Sequence, residues 1–289
     1  MDKKPQWLKK KINLDNKNIS AIKNIIDSSS LHTVCESAKC PNIFECFSKK
    51  TATFMLMGDI CTRNCGFCGV NSGIPAPLDK DEPKKIATAI KEMDLLYAVI
   101  TSVTRDDLDD GGASHFAETV KAIKNLNPST RIECLIPDFG GNKINLETLL
   151  FEEPDVLNHN IETVESNYGK ARSNADYEVS LELLKRAKEL KPDIYTKSGF
   201  MLGLGENREQ VLKLLEDLKE SRVDIITIGQ YLSPSGKNMA ISKYYTPEEF
   251  KEIEIIARKM GFSAVAAGPF VRSSYGAELV LDRALENKV

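Results

Sequence analysis

The chain has no apolar run long enough to cross a bilayer, so no membrane span is expected. Residues 1–11 carry several lysines with no long apolar stretch behind them, which does not read as a secretory signal; a cytoplasmic protein is expected. Positive charge is not in excess: 39 Lys and Arg face 42 Asp and Glu, a formal net charge of -3, which excludes an overall basic field for nucleic acid. Histidine is scarce, three in all, and His115 and His159 stand in no motif that assigns them a catalytic role. Cysteine is scarce too, and its count of seven is odd. In a reducing compartment, clustered cysteines ligate metals more readily than they pair. The length of 289 residues suits two average domains or one α/β barrel, and a core of that size needs no covalent staple. Metals here would serve function.

What is present is concentrated: six of the seven cysteines lie between Cys35 and Cys68. Cys61, Cys65 and Cys68 follow an apolar run at 52–57 that reads as a buried strand, so these thiols sit on a loop leaving it. Three thiolates are one short of the set that holds an ordinary 4Fe-4S cluster, which leaves one iron open to a small molecule. A zinc knot, although it calls for a second Cys-x-x-Cys pair, and a buried redox-silent trio are the alternatives. Upstream, Cys35, Cys40 and Cys46 form another trio, spaced by four and five residues around a Pro-Asn turn. It too is one ligand short, and a zinc loop completed by His32 or Cys134 competes with a cluster. Cys134 alternates with Ile132 and Ile136 and reads as core.

Beyond the cysteines, apolar strands alternate with amphipathic helices. Strands are expected at 97–103, 131–136, 155–159, 194–201, 224–228 and 264–267. Ile86, Ala89, Ile90 and Met93 form one helical face; Val211, Leu214, Leu215 and Leu218 form another after an Asn207/Gln210 cap; a further helix opens at Thr246-Pro247 and stops at Gly261. Near the N-terminus Ile19, Ile22, Ile25 and Ile26 suggest a short helix after a break at Asn13-Leu14-Asp15-Asn16. Six or seven such units favour an open or partial barrel, although a doubly wound sheet gives the same pattern.

Cys-x-x-x-Cys-x-x-Cys with the aromatic Phe67 before its last cysteine resembles the radical S-adenosylmethionine (SAM) motif. Both trios together narrow the resemblance. Thr-Val-Cys-Glu at 33–36, Cys-Pro-Asn at 40–42, Ala-Thr-Phe-Met at 52–55, Gly-Asp-Ile-Cys-Thr-Arg-Asn-Cys at 58–65, Thr-Ser-Val-Thr-Arg-Asp-Asp-Leu at 101–108, Asp-Gly-Gly-Ala at 110–113 and Arg-Ser-Ser-Tyr at 272–275 resemble the lipoyl synthase family. That resemblance implies a partial (β/α)6 TIM-type barrel at 51–268, an N-terminal extension at 1–50 carrying the first trio, and a closing segment at 269–289. It implies two 4Fe-4S clusters and SAM. The cluster on Cys61, Cys65 and Cys68 cleaves SAM to a radical; the auxiliary cluster on Cys35, Cys40, Cys46 and Ser274 donates sulfur to C6 and C8 of an octanoyl chain on a lipoyl-carrier domain. An electron donor such as flavodoxin or ferredoxin and iron-sulfur assembly proteins are the further partners. A radical suits such a substrate, because a saturated alkyl C-H is neither acidic nor next to a leaving group.

Barrel sites lie at the C-terminal ends of strands. By that rule Asn160 or Glu162 is expected to meet the SAM ribose; the stretch from Lys197 to Glu206 resembles the glycine-punctuated strand that passes the adenine in the superfamily, and Arg272 is expected to stabilise the Ser274 alkoxide or to bind a SAM carboxylate. Thr101–Asp107 stands where the superfamily often has Gly-Gly-Glu. Ser273 or Ser274 would otherwise read as a cap of a final helix, and the lysine runs at 9–11 and 49–50 as solvated surface. The rival readings are another radical SAM sulfur-inserting enzyme, such as a methylthiotransferase, and a two-cluster electron-transfer protein.

Overall fold

The computed structural model describes residues 4–10 and 16–287. The expected break at Asn13-Leu14-Asp15 lies outside them. A short arm leads to α1 (Lys17–Ser28), which buries Ile19, Ile22 and Ile26 as its spacing predicts. The first cysteine trio then lies on β1 (His32–Thr33), α2 (Val34–Ser37) and α3 (Ile43–Ser48) and the turns between and after them. β2 (Thr53–Leu56) enters the barrel, and the second trio occupies a loop whose ends are tied by two short parallel strands, β3 (Ile60–Cys61) and β4 (Asn71–Ser72).

The wound units follow: α4 (Glu82–Met93), β5 (Tyr97–Ser102), α5 (Ala113–Leu126), β6 (Arg131–Leu135), α6 (Lys143–Phe151), β7 (Val156–Asn158), α7 (Tyr168–Ala171), α8 (Tyr177–Leu190), β8 (Tyr195–Leu202), α9 (Arg208–Glu220), β9 (Ile225–Gln230), α10 (Pro247–Lys259), β10 (Ala264–Gly268) and α11 (Ala277–Glu286). The large sheet runs β1-β2-β5-β6-β7-β8-β9-β10, parallel throughout except for the antiparallel β1 at its edge. Strand order follows chain order, and among the described residues β1 and β10 do not pair, so the sheet is a partial barrel and not a doubly wound sheet.

The predicted strands are all present, with shifted ends. β8 and β9 run further than expected because Met201 pairs with Gly229 and Leu202 with Gln230, continuing the ladder past glycines that weaken the apolar pattern. α9 and α10 each open with a full capping box, at Asn207/Gln210 and Thr246/Glu249. Outside the sheet, the α4, α5 and α6 faces form one core and the α8, α9 and α10 faces a second. Inside it, α11 lays Val280, Leu281 and Ala284 on Val156, Tyr195, Ile225 and Ala264, and Arg131 at the start of β6 pairs with Glu278 and Asp282. The terminal helix thus fills the N-terminal end of the barrel and leaves its C-terminal end for chemistry.

Candidate cluster and cofactor site

The second trio is held from both sides. On one, the loop after β5 grips it: Thr62 donates through N–H and hydroxyl to Thr104 O, both at 3.0 Å, and the Thr104 N–H donates to Cys61 Sγ at 3.3 Å. Arg63 donates to Asp106 at 2.8 Å through two nitrogens and to Asp138, after β6, at 2.5 and 2.8 Å. A guanidinium fork shared between two carboxylates fixes direction as well as distance. On the other side, Gly66 N–H donates to Ala171 O at 3.0 Å, Met239 N–H to Gly66 O at 2.8 Å and Asn238 to Cys68 O at 2.7 Å. A Cβ at Gly66 would stand 2.9 Å from Lys170 O, so this close approach requires glycine.

All seven cysteines are free, and the charges of Cys61, Cys65 and Cys68 act on one another. Burial pushes the Cys68 thiol up to about 12 and raises that of Cys65 as well. The first trio behaves alike: Cys40 acts on both Cys35 and Cys46, and burial pushes Cys35 up to about 12 and Cys46 to about 11. Buried thiols become thiolates when a metal compensates their charge. Among the described residues no three His, Cys, Asp or Glu side chains meet as a single-ion site. Cys134 is fully buried in the core.

The expected SAM contacts divide. Asn160 and Glu162 lie at the end of β7, where Glu162 adopts a left-handed φ of 68°, sparsely used by residues other than glycine. Desolvation raises the Glu162 carboxyl, opposed first by Arg172. Asn160 Oδ1 and Thr227 Oγ1 are buried without a partner among the described residues, and both face the bare Cα of Gly199, where a Cβ would stand 2.6 Å from Thr227 Oγ1 and 2.9 Å from Asn160 Oδ1. Orphaned polar atoms around a glycine make a seat for a polar ligand. Arg272 lies between the trios: burial presses its pKa down, while Cys40 and Glu162 act to raise it.

Two other expectations are corrected. Lys197 is 1% exposed and donates to both oxygens of Glu133 at 2.9 Å. β7 separates their strands, so this pair crosses the barrel interior one inward layer below Gly199, and the ammonium is not free for SAM. Glu206 accepts from Gly203 N–H at 2.6 Å and Leu204 N–H at 2.9 Å; it shapes the glycine turn after β8. Within Thr101–Asp107, Thr104 and Asp106 hold the loop of the second trio. The final helix is capped by Gly276 with no side-chain bond, so Ser273 and Ser274 are not its N-cap; Ser273 Oγ instead accepts from Asn160 at 3.3 Å, and Ser274 is half-buried. His115 is a buried partner of Glu82 at 2.6 Å.

Two residues that build the site escaped the sequence reading. Asp138 follows a strand and was open to the strand-end rule, whereas Arg172, which bonds Asn160 O and the Tyr168 hydroxyl at 3.0 Å and acts on Cys65, belongs to no motif.

Residues 55–218, more than half of the chain, match the family model "Radical SAM superfamily". A lipoyl synthase of Symbiobacterium thermophilum is 52% identical over 278 residues, covering 96% of this chain and 87% of that protein. One from Bacillus cytotoxicus is 53% identical over 288 residues, covering 99% and 96%. The chain belongs to the lipoyl synthase family. It is a radical SAM enzyme, and that superfamily implies a 4Fe-4S cluster and SAM. Solved structures agree on the fold: the hydrogenase maturase HydG superposes with a TM-score of 0.60 at 16% identity over 73% of this chain and 50% of that one. Methylornithine synthase superposes with 0.57 at 16% over 85% and 73%. Among the described residues no helix is long and apolar enough to cross a membrane.

Proposed function

We propose that this lipoyl synthase family member inserts two sulfur atoms, at C6 and C8, into an octanoyl chain carried by a lipoyl-accepting protein. The observation that carries the reading is the pair of free cysteine trios, each mutually interacting, set against one barrel mouth with Arg272 and Glu162 between them. When bound, the cluster at Cys61, Cys65 and Cys68 supplies the electron for SAM cleavage, and the one at Cys35, Cys40, Cys46 and Ser274 supplies sulfur. The chain's own residues do the rest. Arg63 and the 104–107 loop fix the direction of the second trio. Asn160, Glu162 and Thr227 offer a polar seat beside it, and Arg172 places a buried cation near Cys65 suited to a carboxylate. Residues 1–50 and 269–289 form the extensions that build the first site; Ser274 is its fourth ligand, and Arg272 is the charge that links the two sites. A flavodoxin or ferredoxin and cluster-assembly proteins complete the cycle, in the cytoplasm.

Anaerobic incubation of reconstituted enzyme with reductant, SAM and an octanoylated carrier tests this. Deoxyadenosine together with a carrier mass gain matching two sulfurs in exchange for two hydrogens is the expected result; deoxyadenosine with an unaltered octanoyl carrier would sink the proposal.

A further inference from the structure

Three stretches far apart in the chain meet at one ammonium group. Lys10 Nζ donates to Asn42 Oδ1 at 2.6 Å and to Glu45 Oε2 at 2.7 Å. The same nitrogen lies 4.5 Å from the centroid of the Phe270 ring and 5.3 Å from that of Tyr275. Two further bonds join the outer stretches directly: the Tyr275 hydroxyl donates to Glu45 Oε1 at 2.7 Å, and Asn42 Nδ2 donates to Phe270 O at 2.7 Å. Asn42 and Glu45 lie between Cys40 and Cys46, while Phe270 and Tyr275 bracket Ser274.

The sequence reading of this lysine as solvated surface is therefore wrong for Lys10, though Lys9 beside it is exposed. An exposed ion pair would count for little. Here the Lys10 side chain is only 25% accessible, Asn42 is 1% exposed, and the two ring faces meet the charge that the hydrogen bonds leave partly uncompensated.

We infer that Lys10 is a positioning residue: it clasps the C-terminal segment onto the cysteine loop and so keeps Ser274 facing the first trio. Its catalytic consequence rests on the reading of that trio as the sulfur-donating site; the clasp itself rests on geometry alone. A fourth ligand from the far end of the chain is useful only while its segment is held, and α11 anchors just one end of it.

The test compares wild type with Lys10→Met, Lys10→Arg and Tyr275→Phe in the full-length chain. In cluster-free protein, pulsed alkylation read by peptide mass spectrometry reports each trio, and hydrogen exchange reports residues 270–276. Lys10→Met should speed alkylation of Cys40 and Cys46 about tenfold, the scale of one lost charge-assisted hydrogen bond, with Cys61, Cys65 and Cys68 changed by less than about twofold. Exchange at 270–276 should rise in parallel. Lys10→Arg should restore most of the protection, because a guanidinium keeps the charge, the donors and the ring contact. Tyr275→Phe should fall between. In reconstituted enzyme Lys10→Met should keep SAM cleavage and lose lipoyl product, and Lys10→Arg should recover it. Equal acceleration at both trios, or none at either, overturns the inference. If the alkylation pattern holds while Ser274→Ala makes lipoyl groups normally, the clasp stands and Ser274 leaves the ligand set; if it holds while product survives the loss of Cys35, Cys40 and Cys46, the clasp stands and the sulfur-donor reading falls. If the alkylation pattern fails while Ser274→Ala loses the product, the clasp falls and the sulfur-donor reading stands.

Discussion

The two cysteine trios lie side by side, yet the chain builds them differently. The second is a product of the barrel: its loop leaves β2, its two ends pair as β3 and β4, and successive barrel loops grip it through Thr104, Asp106 and Asp138. The first is assembled at the barrel's edge, from an N-terminal arm, a loop and a returning C-terminal segment that meet at Lys10. They touch where a Cβ on Gly69 would stand 3.2 Å from Ala38 O. A site embedded in a wound sheet shares the stability of the whole fold, whereas one made by extensions depends on a few contacts. The two should therefore fail separately.

The largest effects come from removing the trios themselves. Cys61, Cys65 and Cys68 replaced by Ala should abolish both SAM cleavage and lipoyl product; Cys35, Cys40 and Cys46 replaced by Ala should abolish only the product. Iron and sulfide analysis should approach two clusters in wild type and one in each triple variant. Sulfur insertion that survives loss of the first trio would break the comparison outright.

Ser274→Ala comes next. With capping excluded by Gly276, the serine has no secondary-structure role at the start of α11. The variant should assemble the second cluster and cleave SAM, yet make little lipoyl product, while Ser273→Ala is milder. Near-normal product at full cluster occupancy would remove Ser274 from the ligand set.

A smaller effect probes the barrel side. Asp138→Asn weakens one arm of the Arg63 fork but leaves Asp106 in place, so the loop should loosen by about 2 kcal/mol. Faster iron loss from the second cluster, with the first unaffected, is the expected readout under chelator challenge. Equal loss from both would mean that the sites share one support.

The same contrast explains what was legible in sequence. The second trio needs three thiols within one loop, and its spacing declares it. Barrel strands announce themselves because they are buried runs bounded by capped helices, as at Asn207 and Thr246. Lys197 misled because a strand-end lysine and an interior lysine look alike until the partner, Glu133 two strands away, is placed. Lys10 misled in the opposite sense: the residues that bury it lie more than thirty and more than two hundred and fifty positions away. The ligand role proposed for Ser274 comes through resemblance alone, since a Ser-Ser pair before a helix has the local pattern of a cap, a place that Gly276 takes instead.

The smallest predicted effect uses acid to separate the sites. His159, at the barrel mouth, is 1% exposed, and burial, with the charge of Arg172 next, pushes it down to about 4 from an ordinary 6.5. An opened mouth takes up the proton near pH 6.5 and the closed one only near 4. Its contribution is thus complete above 6.5 and lost as pH falls toward 4, about 2 kcal/mol of it by pH 5. Glu45 in the clasp runs in a lower window: the Lys10 hydrogen bond first, then Tyr275 and Lys49, hold its carboxyl at about 2 against an ordinary 4.5. Its contribution is present above 4.5 and lost only as pH falls toward 2. At pH 5 the barrel mouth should already be loosened while the clasp is intact. Hydrogen exchange of the cluster-free protein, corrected for the intrinsic effect of pH, should therefore rise roughly twentyfold at residues 157–161 between pH 7 and 5 and change little at 40–46 and 270–275. His159→Asn should abolish most of that rise. If the clasp opens first, or both regions open together, the extensions and the barrel are one cooperative unit and the division between the two sites does not hold.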